Sequence, residues 1–517
     1  MNEQIMAKLF VLLALAVASA VGTTPQEFIG QIRAAHESSA HGNQFLLCSE
    51  MPAVRTLEVN FFSVTNPAQF LSGAKPNLQE MQTVIFNEIR QRVNCSANVA
   101  DMSINFGQNR YWSHKSGDLT QRVNAANIPF QRVGHALCND AVGGVCSSAS
   151  QLYQQGEGYI KEGATINELL INGVDTTNYK NVITANPQIK GDLPELERDS
   201  FAILSQLHYP KRLTLNSDSD SYGKIMLMDD QSEMLWWKTE SSLPICSQFP
   251  GTNGEYYDKV TEQSVLHYYS DDLCAAAVLK FDSIDNSHGF PALKFVAYPE
   301  SIGGSCYATS VNLPFGAVDV KGCQRGLPFV MSNPHFHDSD ASYRAALEGM
   351  SADATKYQTY FIIEPVTGML VEYSQKYQLN VNLQKFKQND NLNAGAMPDT
   401  ILPVYWFDKK YMLDDTHIDA LKSMLTGSGT TTTTTTTTIT PIGDGEQVSS
   451  EQLRTVEEKL SSISYQLTVV SAAVFTFIVL TVVILSGFSL IQFRHNKKLI
   501  RRGDGLPQYV ENPYPTK

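Results

Sequence analysis

No charged side chain occurs in residues 467–493. A bilayer core of about 30 Å takes roughly 20 helical residues, so this run predicts one membrane-spanning helix. Arg494, Lys497, Lys498, Arg501 and Arg502 follow it with no acid among them, whereas Glu457, Glu458 and Lys459 precede it. The Lys/Arg excess marks residues 494–517 as a basic cytosolic tail. A shorter apolar stretch, residues 9–17, sits between Lys8 and Ala18-Ser19-Ala20. Positive residue, apolar core and small-x-small site describe a signal peptide over residues 1–20. An uncleaved N-terminal anchor is the alternative, with Met6 as a second start.

Between these ends the apolar runs are short. Residues 201–207, 224–228, 275–281, 293–297, 359–363 and 370–373 predict strands, separated by turn-prone pieces such as Gly251-Thr252-Asn253-Gly254. Residues 79–93 and 149–171 predict helices, and 416–425 a short terminal one. The class is α+β, with a large antiparallel, barrel-like sheet and helical insertions. Thr430 to Thr438 is an unbroken threonine run with glycines on both sides. Such a segment buries no core. Residues 426–450 therefore read as a stalk, O-glycosylated or plain, and the folded domain as residues 21–425. In residues 451–466, Leu453, Val456, Leu460 and Ile463 make a heptad-like stripe leading to Leu467. It suits a homodimer through a juxtamembrane helix, or a membrane helix that simply continues outward.

The formal net charge is −13, although the tail holds six Lys or Arg against two acids. The ectodomain is thus acidic, which excludes a general nucleic-acid binder. All eight cysteines precede the membrane run: Cys48, Cys95, Cys138, Cys146, Cys246, Cys274, Cys306 and Cys323. An even number in an oxidising compartment reads as disulfides, and without CxxC a zinc ribbon is excluded. Asn94-Cys95-Ser96 is the sole N-glycosylation triplet.

Nucleophile elbow, GxGxxG, Walker loop and HExxH are all missing, so the sequence predicts no enzyme and no cofactor. His335-Phe336-His337-Asp338-Ser339-Asp340 offers two imidazoles and two carboxylates, but no further ligand cluster belongs with it, and no metal is expected. Asn216-Ser217-Asp218-Ser219-Asp220 resembles half a calcium loop, with Leu227 where the closing glutamate belongs. Arg502-Gly503-Asp504 lies in the cytosolic tail, out of reach of an extracellular receptor.

Several stretches, in order, resemble the class B scavenger receptors. That family includes the fatty-acid translocase, the lysosomal integral membrane protein of type two and the insect sensory neuron membrane proteins. The Gly251–254 turn, Tyr268-Tyr269-Ser270-Asp271-Asp272-Leu273-Cys274, and Gly326-Leu327-Pro328 followed by Ser332-Asn333-Pro334-His335-Phe336 carry the likeness. Glu364-Pro365-Val366-Thr367-Gly368, Gln378-Leu379-Asn380 and Leu402-Pro403-Val404-Tyr405-Trp406 extend it. Upstream, Phe61-Phe62-Ser63-Val64-Thr65-Asn66-Pro67 is similar to the family's opening strand. Thr165-Ile166-Asn167-Glu168-Leu169-Leu170 is similar to its helix.

The resemblance implies a barrel-like core capped by a helical bundle, and an apolar tunnel that takes lipids. It implies disulfides Cys246–Cys306 and Cys274–Cys323. Cys48, Cys95, Cys138 and Cys146 are extra to the family, and for them the expected pairing is Cys138–Cys146 as a local loop with Cys48–Cys95 as the remainder. The family motif residues are Asp272, Pro334, His335, Phe336, Glu364, Pro365, Gly368 and Trp406. The chain departs from the family in its single membrane helix, its stalk and the sparse basic residues between Arg132 and Lys161. The expected function is a cell-surface or endosomal receptor that takes up fatty acids, sterols or lipoprotein-like particles. It would reside in the plasma membrane, or alternatively in lysosomal or endosomal membranes. The alternatives are an endolysosomal lipid-transfer or cargo protein, and an adhesion protein without a working tunnel.

Overall fold

In β1 (Ala53–Val64) the chain alternates, burying Arg55, Leu57 and Val59 and turning Val54, Thr56 and Glu58 outward. That period of two is what a strand needs when one face meets a core. A computed structural model describes residues 53–98, 100–140, 146–204, 211–218, 221–240, 247–249, 251–298, 313–386 and 396–426. The signal stretch, stalk, juxtamembrane helix, membrane run and tail lie outside the described residues. Among those described, no helix is long and apolar enough to cross a membrane.

The other strands are β2 (Leu78–Glu80), β3 (Val84–Asn98), β4 (Ser103–Ser116), β5 (Arg122–Ala126), β6 (Ile160–Thr165), β7 (Val174–Asp175), β8 (Ser200–Phe201) and β9 (Lys211–Asn216). After them come β10 (Ile225–Met228), β11 (Val265–Ser270), β12 (Ala275–Asp285), β13 (Ala292–Ala297), β14 (Ala317–Asp319) and β15 (Phe329–Ser332). The last are β16 (Tyr360–Ile363), β17 (Leu370–Leu383) and β18 (Thr400–Leu413). One antiparallel sheet runs β10-β9-β4-β3-β1-β18-β17-β16-β13-β12-β11, with β2, β14 and β15 as branches. The class is therefore mixed α+β around a large antiparallel sheet.

The two ends of this order meet through the turn at Gly251. Ile225 N donates to Gly251 O on one side, and Thr252 exchanges backbone bonds with His267 and Tyr269 on the other. Thr252 thus bridges the flanks of β10 and β11, and the sheet closes into a barrel. Closure removes the unpaired edges that an open sheet would expose. Gly251 has φ +101°, and a Cβ there would lie 2.0 Å from His267 O, so glycine alone fits.

Where β1 finishes, the β5–β6 hairpin and three helices cover the barrel end: α1 (Ile128–His135), α2 (Ser147–Gln154) and α3 (Thr177–Ala185). Asn124 N donates to Ser63 Oγ at 3.0 Å and ties the hairpin to β1. The Asn127 side chain caps α1 by accepting from Phe130 N. Glu157 accepts from Asn127 Nδ2 at 3.0 Å and from Tyr179 OH at 2.6 Å, linking α1 to α3. Phe130, Tyr159 and Phe386 meet at centroid distances of 5.0–5.5 Å where helices and barrel join. At the opposite end Ala53 pairs with Leu413, so both continuations of the chain leave there side by side. After β18 the chain forms α4 (Asp415–Thr426), over the stretch expected to be helical.

Two helical expectations are corrected. Residues 79–93 fall in β2 and β3, where Val84, Phe86 and Glu88 are buried at a period of two. Pairing with β1 and β4 overrides the local pattern. Residues 149–171 hold helix at both ends but not between, because Gly156 (φ +88°) breaks the first helix and Ile160–Thr165 pairs with β5, and a π-helical turn then occupies Glu168–Asn172. Beyond the strand, Thr165 and Glu168 form a capping box. The Glu168 carboxylate accepts from Thr165 N at 2.7 Å, and Thr165 Oγ1 accepts from Glu168 N at 3.2 Å. This pair explains the spacing of the Thr-x-x-Glu-Leu-Leu stretch.

Candidate functional site

The inward faces of β3, β4, β9 and β18 carry charges where a barrel interior ordinarily holds aliphatic side chains. Arg90 bonds Glu88 at 2.7 Å and Glu255 at 2.8 Å. Arg92 also binds Glu255, and Arg55 approaches it at 3.5 Å. Arg110 meets Asp271 at 2.9 Å, and Lys211 meets the same carboxylate at 2.6 Å. Lys409 Nζ lies 2.6 and 2.7 Å from the two oxygens of Asp272.

Burial opposes ionisation of Glu88, Glu255 and Asp271, and the opposite charges overcome it. Desolvation pushes Glu88 up, yet Arg90 and Arg110 hold it down at about 2. Desolvation likewise opposes ionisation of Glu255, but Arg92, Arg90 and Arg55 bring it to about 2. Lys211 and Arg110 hold Asp271 well below the usual carboxylate range against the same burial. All three carboxylates are ionised at neutral pH.

The neutral neighbours complete the layer. Gln375 Nε2 donates to Ser270 Oγ at 3.1 Å, and the hydroxyls of Tyr268 and Tyr377 lie 2.8 Å apart. Phe361, Tyr268, Tyr373 and Tyr411 pack in a chain of rings with centroids 4.8–5.4 Å apart. The space left among these groups is about 50 Å³. A cavity of about 150 Å³ accepts one benzene, so a space of about 50 Å³ has room for water but not for an acyl chain. The lining of this space is largely charged and polar. A second cavity, of about 60 Å³, lies between α1 and the ends of β15 and β17, beside Gln131, Arg132, Gly326 and Gln384.

Most motif residues stand apart from one another and build turns. Asp272 alone belongs to the lumen layer. The Glu364 carboxylate accepts from Val366 N, Thr367 N and Thr367 Oγ1 at 2.6–2.9 Å and fixes the turn before β17. Pro365 begins that turn. Gly368 ends it at φ +65°, where a Cβ would lie 2.2 Å from Tyr257 O. Pro334, His335 and Phe336 form one short helical turn after β15. His335 Nε2 lies 2.9 Å from Glu80, and Nδ1 accepts from Ser351 N at 3.3 Å. Both nitrogens are thus engaged, and the ring stacks on Tyr357 at 4.6 Å. Burial pushes Glu80 up, but the His335 hydrogen bond and the Lys356 charge hold it below its ordinary value. Trp406 faces away from the lumen and packs edge-on to Tyr357 at 5.5 Å. Among the described residues no group of three or more His, Cys, Asp or Glu is placed to hold a metal.

Cys138 is bonded to Cys146, and Cys274 to Cys323. Cys95 is disulfide-bonded, while Cys48, Cys246 and Cys306 lie outside the described residues. Asn94 is exposed on β3 at φ +54°, beside a register shift between Val93 and Ser96.

Sequence reasoning missed Glu88, Arg90, Arg92, Arg110, Lys211, Glu255 and Lys409. The repeat Glu88-x-Arg90-x-Arg92 was a signal, since alternate charges share one face of a strand. Reading that stretch as a helix hid it.

Comparison with known proteins gives a consistent result. The model of the CD36 family matches residues 8–443. Lysosome membrane protein 2 of Homo sapiens is 25% identical over 386 residues, covering 71% of this chain and 76% of its own. Scavenger receptor class B member 1 of Rattus norvegicus is 24% identical over 412 residues, covering 74% of this chain and 75% of its own. The protein of that name from Mus musculus is 25% identical over 379 residues.

Proposed function

The chain belongs to the CD36 family, a family of receptors without enzymatic activity, and from that premise we propose that it is a membrane-anchored receptor for lipids or lipid-bearing particles. The observation that carries this reading is the division of the barrel's two ends. Helices α1 to α3 cover one end, and both chain continuations leave from the other. The helical end is a bundle-like apex that meets ligand. Residues 467–493 span the bilayer once, residues 1–20 are a cleaved signal, and the threonine-rich stalk lets the domain stand off the surface. Asn94 carries N-linked sugar, and Cys246–Cys306 and Cys48–Cys95 complete the disulfides. Capture followed by endocytosis suits this arrangement.

Cells expressing the full chain should accumulate a fluorescent fatty acid or sterol ester faster than control cells. Cells expressing a chain lacking residues 427–450 test whether the stalk matters. Uptake no different from that of control cells, with the protein at the surface, would remove the lipid-receptor reading.

A second reading, an endolysosomal lipid-transfer or cargo protein, draws on the relatives named lysosome membrane protein 2. The lowered Glu88 and Glu255 favour it, because carboxylates titrating at about 2 stay paired in an acidic organelle. Immunolocalisation against a lysosomal marker separates the two.

A further inference from the structure

The outer wall of the barrel changes character across β18, β1, β3 and β4. Val54 pairs with Met412, and Ile89 pairs with Tyr111. Val54 stands two residues before Thr56 and Ile89 two beyond Asn87, and Thr56 and Asn87 are themselves paired. All four apolar residues belong to the outward set of their strands. Val54 is 57% exposed, Ile89 54% and Tyr111 51%, and Met412 is half-buried. On the same face Thr56, Asn87 and Ser113 lie to one side and Gln91 and Asn109 to the other, none of them charged. The charges of β3 and β4 at this level, Glu88, Arg90, Arg92 and Arg110, take the alternate positions and turn inward. Glu58 and Lys410, the outward charges next along β1 and β18, pair with each other at 2.6 Å. An apolar centre within an uncharged polar rim is the composition of a contact surface.

We propose that this face receives the same face of a second copy of the chain. Charge selects that occupant. The ectodomain is acidic, so two copies repel each other least where their surfaces carry no charge. Position supports it as well. The face begins beside the Ala53–Leu413 pair, from which both chain continuations leave. A two-fold axis along the strands, between Val54 and Ile89, joins the two faces and leaves the continuations of both copies pointing the same way, as a shared membrane requires. Four apolar side chains fall short of the roughly 800 Å² per partner in a stable interface, so the wall does not hold a dimer alone. The heptad-like stripe of Leu453, Val456 and Leu460 supplies a second contact through the same chain, and two weak contacts on one tether reinforce each other.

Cross-linking of the full chain in cell membranes tests the interface. Val54→Cys puts a thiol beside the two-fold axis, and Ile284→Cys, at a site 52% exposed on β12 and five strands away, is the reference. A short bismaleimide should join copies through position 54 at least about tenfold faster than through position 284, since copies are held at one and only collide at the other. Charge then separates contact from damage. Exposed Ile89 tolerates either charge at a cost of about 1 kcal/mol. Added to Val54→Cys, Ile89→Asp or Ile89→Lys sets like charges against each other at the axis and should cut the trapped dimer about tenfold. Copies with opposite substitutions, mixed in one membrane, should recover it, which misfolded chains would not do. Equal rates at 54 and 284 overturn the interface, and so does a mixed pair that traps no better than either variant alone. A dimer trapped through Leu460→Cys but not through Val54→Cys also overturns it. So does a fluorophore at position 54 that brominated lipid quenches, which would make the bilayer the occupant. No ligand enters the measurement, so its failure leaves the lipid-receptor reading standing, and failed uptake leaves the interface standing.

Discussion

Glu255 is the residue on which most of the lumen's charge depends. Its carboxylate is shared by Arg90 and Arg92, with Arg55 3.5 Å away. Replacement by glutamine keeps the shape and removes the charge. Glu255→Gln should lower stability by about 3–5 kcal/mol, the cost of breaking one side of a buried ion pair. Equilibrium denaturation at neutral pH measures it, and a loss under about 1 kcal/mol would mean that water already screens the layer. The acid dependence follows from the same group. A carboxylate with a folded pKa of about 2 against 4.5 contributes stability above pH 4.5 and loses it as pH falls toward 2. Burial raises Asp408 and Glu195 instead, so they relieve strain as pH falls. The melting temperature should stay level from pH 7 to 5 and drop below about 4, and the drop should be smaller in Glu255→Gln.

At the scale of elements, the register of β1 and β3 makes a statement about the cysteines. Thr56 pairs with Asn87 in an antiparallel ladder. Eight residues before Thr56 comes Cys48, and eight beyond Asn87 comes Cys95, so the two cysteines flank this pair at equal chain distance. Directly opposed residues have Cα separations of about 4.5–5.5 Å, which a disulfide spans. Non-reducing peptide mapping should find Cys48 joined to Cys95; a Cys95 peptide linked to Cys246 or Cys306 would overturn that pairing. How much of the fold the sequence disclosed varies by element for physical reasons. β10, β12, β13 and β16 were legible because their apolar runs are short and bounded by turns. β17 extends far beyond its legible start, residues 370–373, because Ser374, Gln375, Gln378 and Asn380 are polar yet buried. Cross-strand partners such as Asp408, which Ser374 Oγ reaches at 2.7 Å, make that possible, and no local pattern announces a partner 34 residues away. Asp272 was legible only as a motif member, because its meaning lies in Lys409, 137 positions on.

For the whole molecule, the deciding question is how many tethers hold the barrel. Ala53 and Leu413 are paired neighbours, so one end of the barrel emits both chain continuations. Two anchors would pin that end from two sides, whereas a single anchor, as proposed, would hold it from one. The sequence favours one. Residues 9–17 are too short for a span of about 20 residues and end in a small-x-small site. N-terminal sequencing of the mature protein from expressing cells should return Val21 as the first residue. A start at Met1 or Met6 would leave the first apolar stretch in place and restore a second tether. The two outcomes also divide the functional readings. One tether suits capture followed by endocytosis, as proposed, and two would suit lipid transfer at the membrane. If sequencing finds two tethers, the capture-and-endocytosis reading yields to lipid transfer at the membrane.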